Sequence, residues 1–152
     1  MRQRKEAAVE SHSAYDVDFF AWTQETAELL RRGEFADIDW QHVAEEIADM
    51  GKRDRREVRS RLTVLLTHLL KWQAQPEQRR LSWRATIVEQ RSELRLIFED
   101  SPSLRRIAAD EWRKIHRYAL QRATEETGLR MEAFPKECPY SLDELLSGEM
   151  PR

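Results

Sequence analysis

The chain has 152 residues, with 26 basic and 28 acidic side chains, four Gly, five Pro, four His and one Cys. That length suits a single domain, and a 40% apolar share is enough for a core and too much for a disordered segment. No stretch approaches the roughly 18 apolar residues that span a bilayer, the polar start lacks the apolar centre of a secretory signal, and a lone Cys138 supports neither an internal disulfide nor a cysteine zinc site. A soluble, cytoplasmic protein is expected.

Gly and Pro together are about half as frequent as in an average chain, which points to long helices. A tail over 1–14 is expected to be flexible, followed by one helical-bundle domain over 15–147 and a short tail over 148–152. The first helix should run from about Asp16 to Arg32, with Asp16 or Asp18 accepting the first free amide hydrogens. Phe19, Trp22, Thr26, Leu29 and Leu30 form its apolar stripe, and Gly33 is placed to end it.

Asp39 opens a second helix. Val43, Ile47, Met50, Asp54, Val58, Leu62, Leu65, Leu69 and Trp72 recur at the helical period, and the stripe keeps phase through Gly51. The phase favours one long helix kinked near Gly51 in an elongated bundle. A fresh start at Asp54, with Glu57 completing a cap, is the alternative. Gln75-Pro76 ends this helix. Ser82 begins a third, carrying Trp83, Ile87, Leu94, Ile97 and Phe98. Ser101-Pro102 starts a fourth, which runs through Leu104, Ile107, Ala108, Trp112, Ile115, Ala119 and Ala123 to Gly128. Ser141 and Glu144 form a capping-box pattern for a short last helix. No β pattern occurs, so the fold class is all-α, with about four main helices and a tail helix.

Several segments together resemble a known family: Tyr15-Asp-Val-Asp-Phe-Phe-Ala-Trp22; Glu45-Glu-Ile with Met50-Gly51; Arg61-Leu-Thr-Val-Leu-Leu-Thr-His-Leu-Leu-Lys-Trp72; Ser82-Trp-Arg-Ala-Thr-Ile87; Asp100-Ser-Pro-Ser-Leu104; and Phe134-Pro135 with Cys138-Pro-Tyr140. In order and spacing they resemble the bacterial domain-of-unknown-function family 29, across roughly residues 14–146. The resemblance implies a compact all-helical bacterial domain. It supplies no activity and no functional residues.

Read for chemistry, His42, Glu45 and Glu46 share one helix face at i, i+3 and i+4. With His68, Glu25 or Glu28 from elsewhere they are the candidate ligands for a divalent metal, as in a metal-dependent hydrolase. A helical-bundle metal site normally draws carboxylate and imidazole from several helices, and the plainer reading is a solvated acidic face. His68 lies one residue off the apolar stripe, where a partly buried, hydrogen-bonded histidine is the ordinary outcome. Cys138 has no sequence neighbour that would activate a thiol. The four glycines are isolated, so no phosphate-cradling loop is present and no cofactor is expected.

Charge is segregated along the chain. Residues 16–50 hold ten acidic against two basic side chains, and residues 52–95 hold 12 basic against five acidic. Lys52, Arg55, Arg56, Arg59 and Arg84 are the candidate nucleic-acid contacts, with Trp72 and Trp83 as stacking platforms. Neutralisation of this stripe by the acidic segment is the competing reading. The wide apolar surface of Leu62, Leu65, Leu66, Leu69 and Leu70 suits a four-helix core or a dimer seam. The expected role is therefore a non-catalytic interaction module that self-associates or binds another protein, with nucleic-acid binding as the alternative and metal-dependent hydrolysis as the second.

Overall fold

The computed structural model describes residues 14–150 and contains seven α-helices and no strand among them. The helices are α1 (Ala14–Val17), α2 (Phe19–Arg32), α3 (Trp40–Ala74), α4 (Leu81–Asp100), α5 (Pro102–Asp110), α6 (Trp112–Thr127) and α7 (Leu142–Leu146). The all-α class with one long helix and a short last helix is as the sequence reads. The tail expected over 1–14 lies outside the described residues apart from Ala14. None of the described helices is long and apolar enough to cross a membrane.

The described residues group into two compact units, divided between Met50 and Gly51. In the first, Asp18 caps α2 by accepting from the amide of Ala21 at 2.9 Å. Its φ of −149° separates α1 from α2, dividing what the stripe suggests is one helix. Gly33 closes α2 in the left-handed conformation at φ 73°, where its amide returns to the Leu30 carbonyl. Trp22, Thr26 and Ile38 are buried here.

Helix α3 has 35 residues and runs through Gly51 without interruption, about 52 Å of rise. The long-helix reading holds, and the alternative start at Asp54 does not occur. An added Cβ at Gly51 would meet nothing within 4 Å, so the glycine costs helix propensity of about 1 kcal/mol with no steric reason inside the chain.

In the second unit the stripe of α3 becomes core. Val58, Leu62, Leu65, Leu66, Leu69 and Leu70 are buried against Ile87, Leu94 and Phe98 of α4 and Leu104, Ala108, Ile115, Ala119 and Ala123 of α5 and α6. Alanines on α6 let that helix approach closely, and Leu145 and Leu146 of α7 close the cluster. The capping box forms as its pattern suggests: the Glu144 amide donates to Ser141 Oγ, and the Ser141 amide donates to Glu144 Oε2 at 2.8 Å. The helix expected from Pro102 to Gly128 is instead two, parted at Glu111, whose backbone leaves the helical range at ψ 3°.

The tail is held by cations rather than by its own helix. Arg91 Nε donates to the Leu145 carbonyl at 2.6 Å and its Nη2 to the Glu149 carbonyl at 2.7 Å. Arg95 Nε reaches the Leu146 carbonyl at 3.0 Å. These donors satisfy carbonyls at the end of α7 that have no helical partner.

Truncating Leu69 to Ala removes a side chain with no solvent exposure from the middle of the core. The Leu69→Ala variant should lose about 2–5 kcal/mol of stability, read in urea as a lower midpoint at an unchanged slope.

Candidate functional site

The first candidate cluster gathers at the start of α3. Asp39 precedes the helix and accepts the His42 amide at 3.3 Å, while its second oxygen pairs with His42 Nδ1 at 2.5 Å. One carboxylate thus caps the helix and orients the imidazole. Tyr15 of α1 stacks on that ring, centroids 3.9 Å apart and 17° from parallel, and donates its hydroxyl to Glu46 Oε1 at 2.6 Å. Trp22 meets Tyr15 edge-on at 5.0 Å.

The electrostatics follow these bonds. Accepting the phenolic hydrogen makes Glu46 resist loss of that proton, and the Tyr15 pKa is pushed up to about 12. The hydrogen bond from His42 holds the Asp39 carboxyl below its usual range, and Asp39 in turn raises the imidazole above its ordinary value. Glu45 accepts from Gln41 at 3.2 Å.

Of the candidate metal ligands, then, His42 and Glu46 are joined through Tyr15, Glu45 stands beside them with its own partner, and Glu28 pairs with Arg31 at 2.6 Å. His68 is not brought to them. It lies about seven turns further along α3, where its Nδ1 donates to the Val64 carbonyl at 2.9 Å and burial pushes its pKa down. No group of three or more His, Cys, Asp and Glu side chains placed to hold an ion occurs among the described residues.

The basic stretch is largely committed to its own unit. Arg55 Nε and Arg59 Nε donate to the two oxygens of Glu111 at 2.6 and 2.7 Å. The Glu111 side chain is only 11% exposed. Arg59 first, then Arg55, holds its carboxyl below the usual carboxylate range against the opposing effect of burial. This pairing sits at the break between α5 and α6. Arg61 pairs with Glu57 at 2.8 Å, and Lys71 with Glu126 at 2.6 Å.

The two proposed stacking platforms already carry cations of this chain. Lys71 Nζ lies 4.4 Å from the Trp83 ring centre, and the Arg79 guanidinium lies 4.9 Å from that of Trp72. Of the five candidate nucleic-acid contacts, Arg55 and Arg59 converge on Glu111, while Lys52, Arg56 and Arg84 are solvent-exposed.

Sequence reasoning missed a cleft of about 540 Å³ between the first turns of α6 and the loop around Lys136. His116 and Cys138 both line it, 22 positions apart in the chain. The helical half of this wall was open to inspection, because Trp112, His116 and Leu120 recur at i, i+4 and i+8. Cys138 is not an activated nucleophile. Burial pushes its thiol up, outweighing the hydrogen bonds from the Tyr140 backbone and the Trp112 side chain that act the other way.

Compared with known proteins, residues 14–150 match the family model described as "Domain of unknown function DUF29". No curated protein and no solved structure matches the chain.

Two outcomes test this geometry. Replacing Glu111 by Gln strips two arginines of their carboxylate and should destabilise the fold by about 1–3 kcal/mol, measured by urea unfolding. At the other cluster, a histidine pKa raised by folding gives stability that is complete below about 6.5 and is lost as pH rises through the raised value. Asp39, with its pKa lowered, adds stability above about 3.8 that is lost as pH falls through the lowered value. In Asp39→Asn, NMR titration should show the His42 pKa falling back toward 6.5, with the pH dependence of stability in that upper window flattened.

Proposed function

The chain belongs to the DUF29 family, and from that premise we propose that it is a non-catalytic interaction module that pairs with a second copy of itself through the first half of α3. The observation that carries this reading is the contrast between the two ends of one apolar stripe. Downstream of Val58 the stripe is buried. Upstream, Val43 is partly buried while Trp40, Ile47 and Met50 are more than half exposed, at spacings of seven and three that make a heptad seam. Residues 14–50 expose eight large apolar side chains, with Val17, Phe19, Phe20, Leu30 and Phe35 adding to those three. So much exposed apolar surface on so short a segment is the mark of an interaction site.

Charge selects the partner and the direction of pairing. On α3 the turns before Gly51 carry Glu45, Glu46 and Asp49, and the turns after it are net basic, with Lys52, Arg53 and Arg56 and the Glu111-bound Arg55 against Asp54 and Glu57. Two copies crossing antiparallel about Gly51 set the acidic turns of each against the basic turns of the other. Parallel pairing sets like against like, which is repulsive. The open space around Gly51 favours this crossing point, since a residue without a side chain lets two helix backbones come close.

Light scattering after gel filtration tests the reading on the full chain. The unaltered protein should run as a dimer that weakens as salt rises. Ile47→Glu with Met50→Glu should give monomer. Glu45→Arg should weaken association by about ten-fold, and adding Arg56→Glu to it should restore association by re-pairing the exchanged charges across the two-fold axis. A monomer at all concentrations, or a dimer indifferent to Ile47→Glu with Met50→Glu, refutes the reading.

A further inference from the structure

His116 is 7% exposed, and its Nε2 has no hydrogen-bond partner. A buried nitrogen left without a bond costs about 1–3 kcal/mol, so such atoms call for an explanation. Burial pushes the His116 pKa down from its ordinary value, and the ring is neutral at pH 7. It therefore has one N–H to give and one lone pair to receive with.

The surroundings show what it faces. The cleft that His116 lines has Arg113 and Arg117 on one wall and Lys136 on the other, with Glu137 as the opposing charge. Arg113 and Arg117 are at i and i+4, stacked on one face of α6. Neither they nor Lys136 forms an ion pair among the described residues, whereas Arg59, Lys71 and Arg91 of the same unit are bound to carboxylates or carbonyls. Trp112 and Leu120 supply an apolar wall. A water molecule satisfies an orphaned imidazole nitrogen, but it does not balance three unpaired cations.

We propose that this cleft binds a small organic anion, a carboxylate or phosphate carried on a flat apolar body. Arg113 and Arg117 clamp the anion, Lys136 closes on it from the loop, His116 Nε2 hydrogen-bonds a polar atom of the ligand, and the body lies against Trp112 and Leu120. About 540 Å³ is in the range of small-molecule sites. Burial pushes the neighbouring Cys138 thiol up, so it adds no negative charge to the cleft. The proposal is independent of self-association through α3, whose residues it does not use.

The test is a titration of the full chain with phenyl phosphate, benzoate, inorganic phosphate and benzyl alcohol, followed by the NMR signals of the His116 ring. Phenyl phosphate or benzoate should shift those signals at millimolar concentration, as fits a fragment of that size. Which of the two binds more tightly identifies the anion. Benzyl alcohol, with the body and no charge, should leave the signals in place, and inorganic phosphate should bind about ten-fold more weakly than phenyl phosphate. Arg113→Gln with Arg117→Gln, both exposed positions that keep the fold, should reduce binding by about ten-fold or more. His116→Leu should weaken binding without lowering the melting temperature, because the Nε2 it removes makes no bond within the chain. A silent His116 ring, undiminished binding in the double Gln variant, or equal binding of benzyl alcohol overturns the proposal.

Discussion

One unbroken helix carries a single apolar stripe into two environments, and most of the structure follows from where that change occurs. From Val58 to Leu70 the stripe is wrapped by α4, α5, α6 and α7 into a dry core. Each leucine fully buried there contributes about 1.5–3 kcal/mol, enough to hold the other helices in position around it. Between Trp40 and Met50 the same periodicity continues with Val43 partly buried and Trp40, Ile47 and Met50 more than half exposed. A helix this long is secured at one end by packing, so its other end needs no core of its own to stay helical. Cooperative helix propagation from a packed segment supplies that order at small cost.

The abundance of arginine is largely architectural. Arg55 and Arg59 fix Glu111 at the α5–α6 break, Arg91 and Arg95 hold carbonyls of the tail, and Arg79 covers a tryptophan face. A guanidinium suits these tasks because its planar fork satisfies two acceptors at once and its stem covers apolar surface. A basic composition on paper thus becomes, in the fold, a set of internal clasps with a smaller exposed remainder. That remainder includes Arg56, Arg80, Arg84, Arg106 and Arg130 as well as Arg113, Arg117 and Lys136.

Features decided by neighbours in sequence were legible there. The Asp18 cap, the Ser141–Glu144 box, the left-handed glycines and the passage of α3 through Gly51 all depend on contacts within a few residues. The break at Glu111 was not legible. No Gly or Pro marks it, and the arginines that hold the Glu111 side chain lie more than 50 residues away. Which half of the α3 stripe is buried was equally hidden, since Ile47 and Met50 are as apolar as the leucines that follow. Of the candidate site residues, His42 with Asp39 is a local i, i+3 pair. Tyr15, which ties His42 to Glu46, comes from another helix. The α6 cleft needed a loop to return beside His116, and spacing along the chain carries no sign of that return.

Closure of the core by α7 has a consequence for synthesis on the ribosome. Leu145 and Leu146 belong to the same cluster as Leu65 and Leu69, and the clasps from Arg91 reach as far as Glu149. The leucine face of α3 is therefore made roughly 75 residues before its last cover, an interval of about 4–15 s at ordinary elongation rates. During that time the nascent chain carries an amphipathic helix with its sticky side open, and α4 and α6 can only lean on it provisionally.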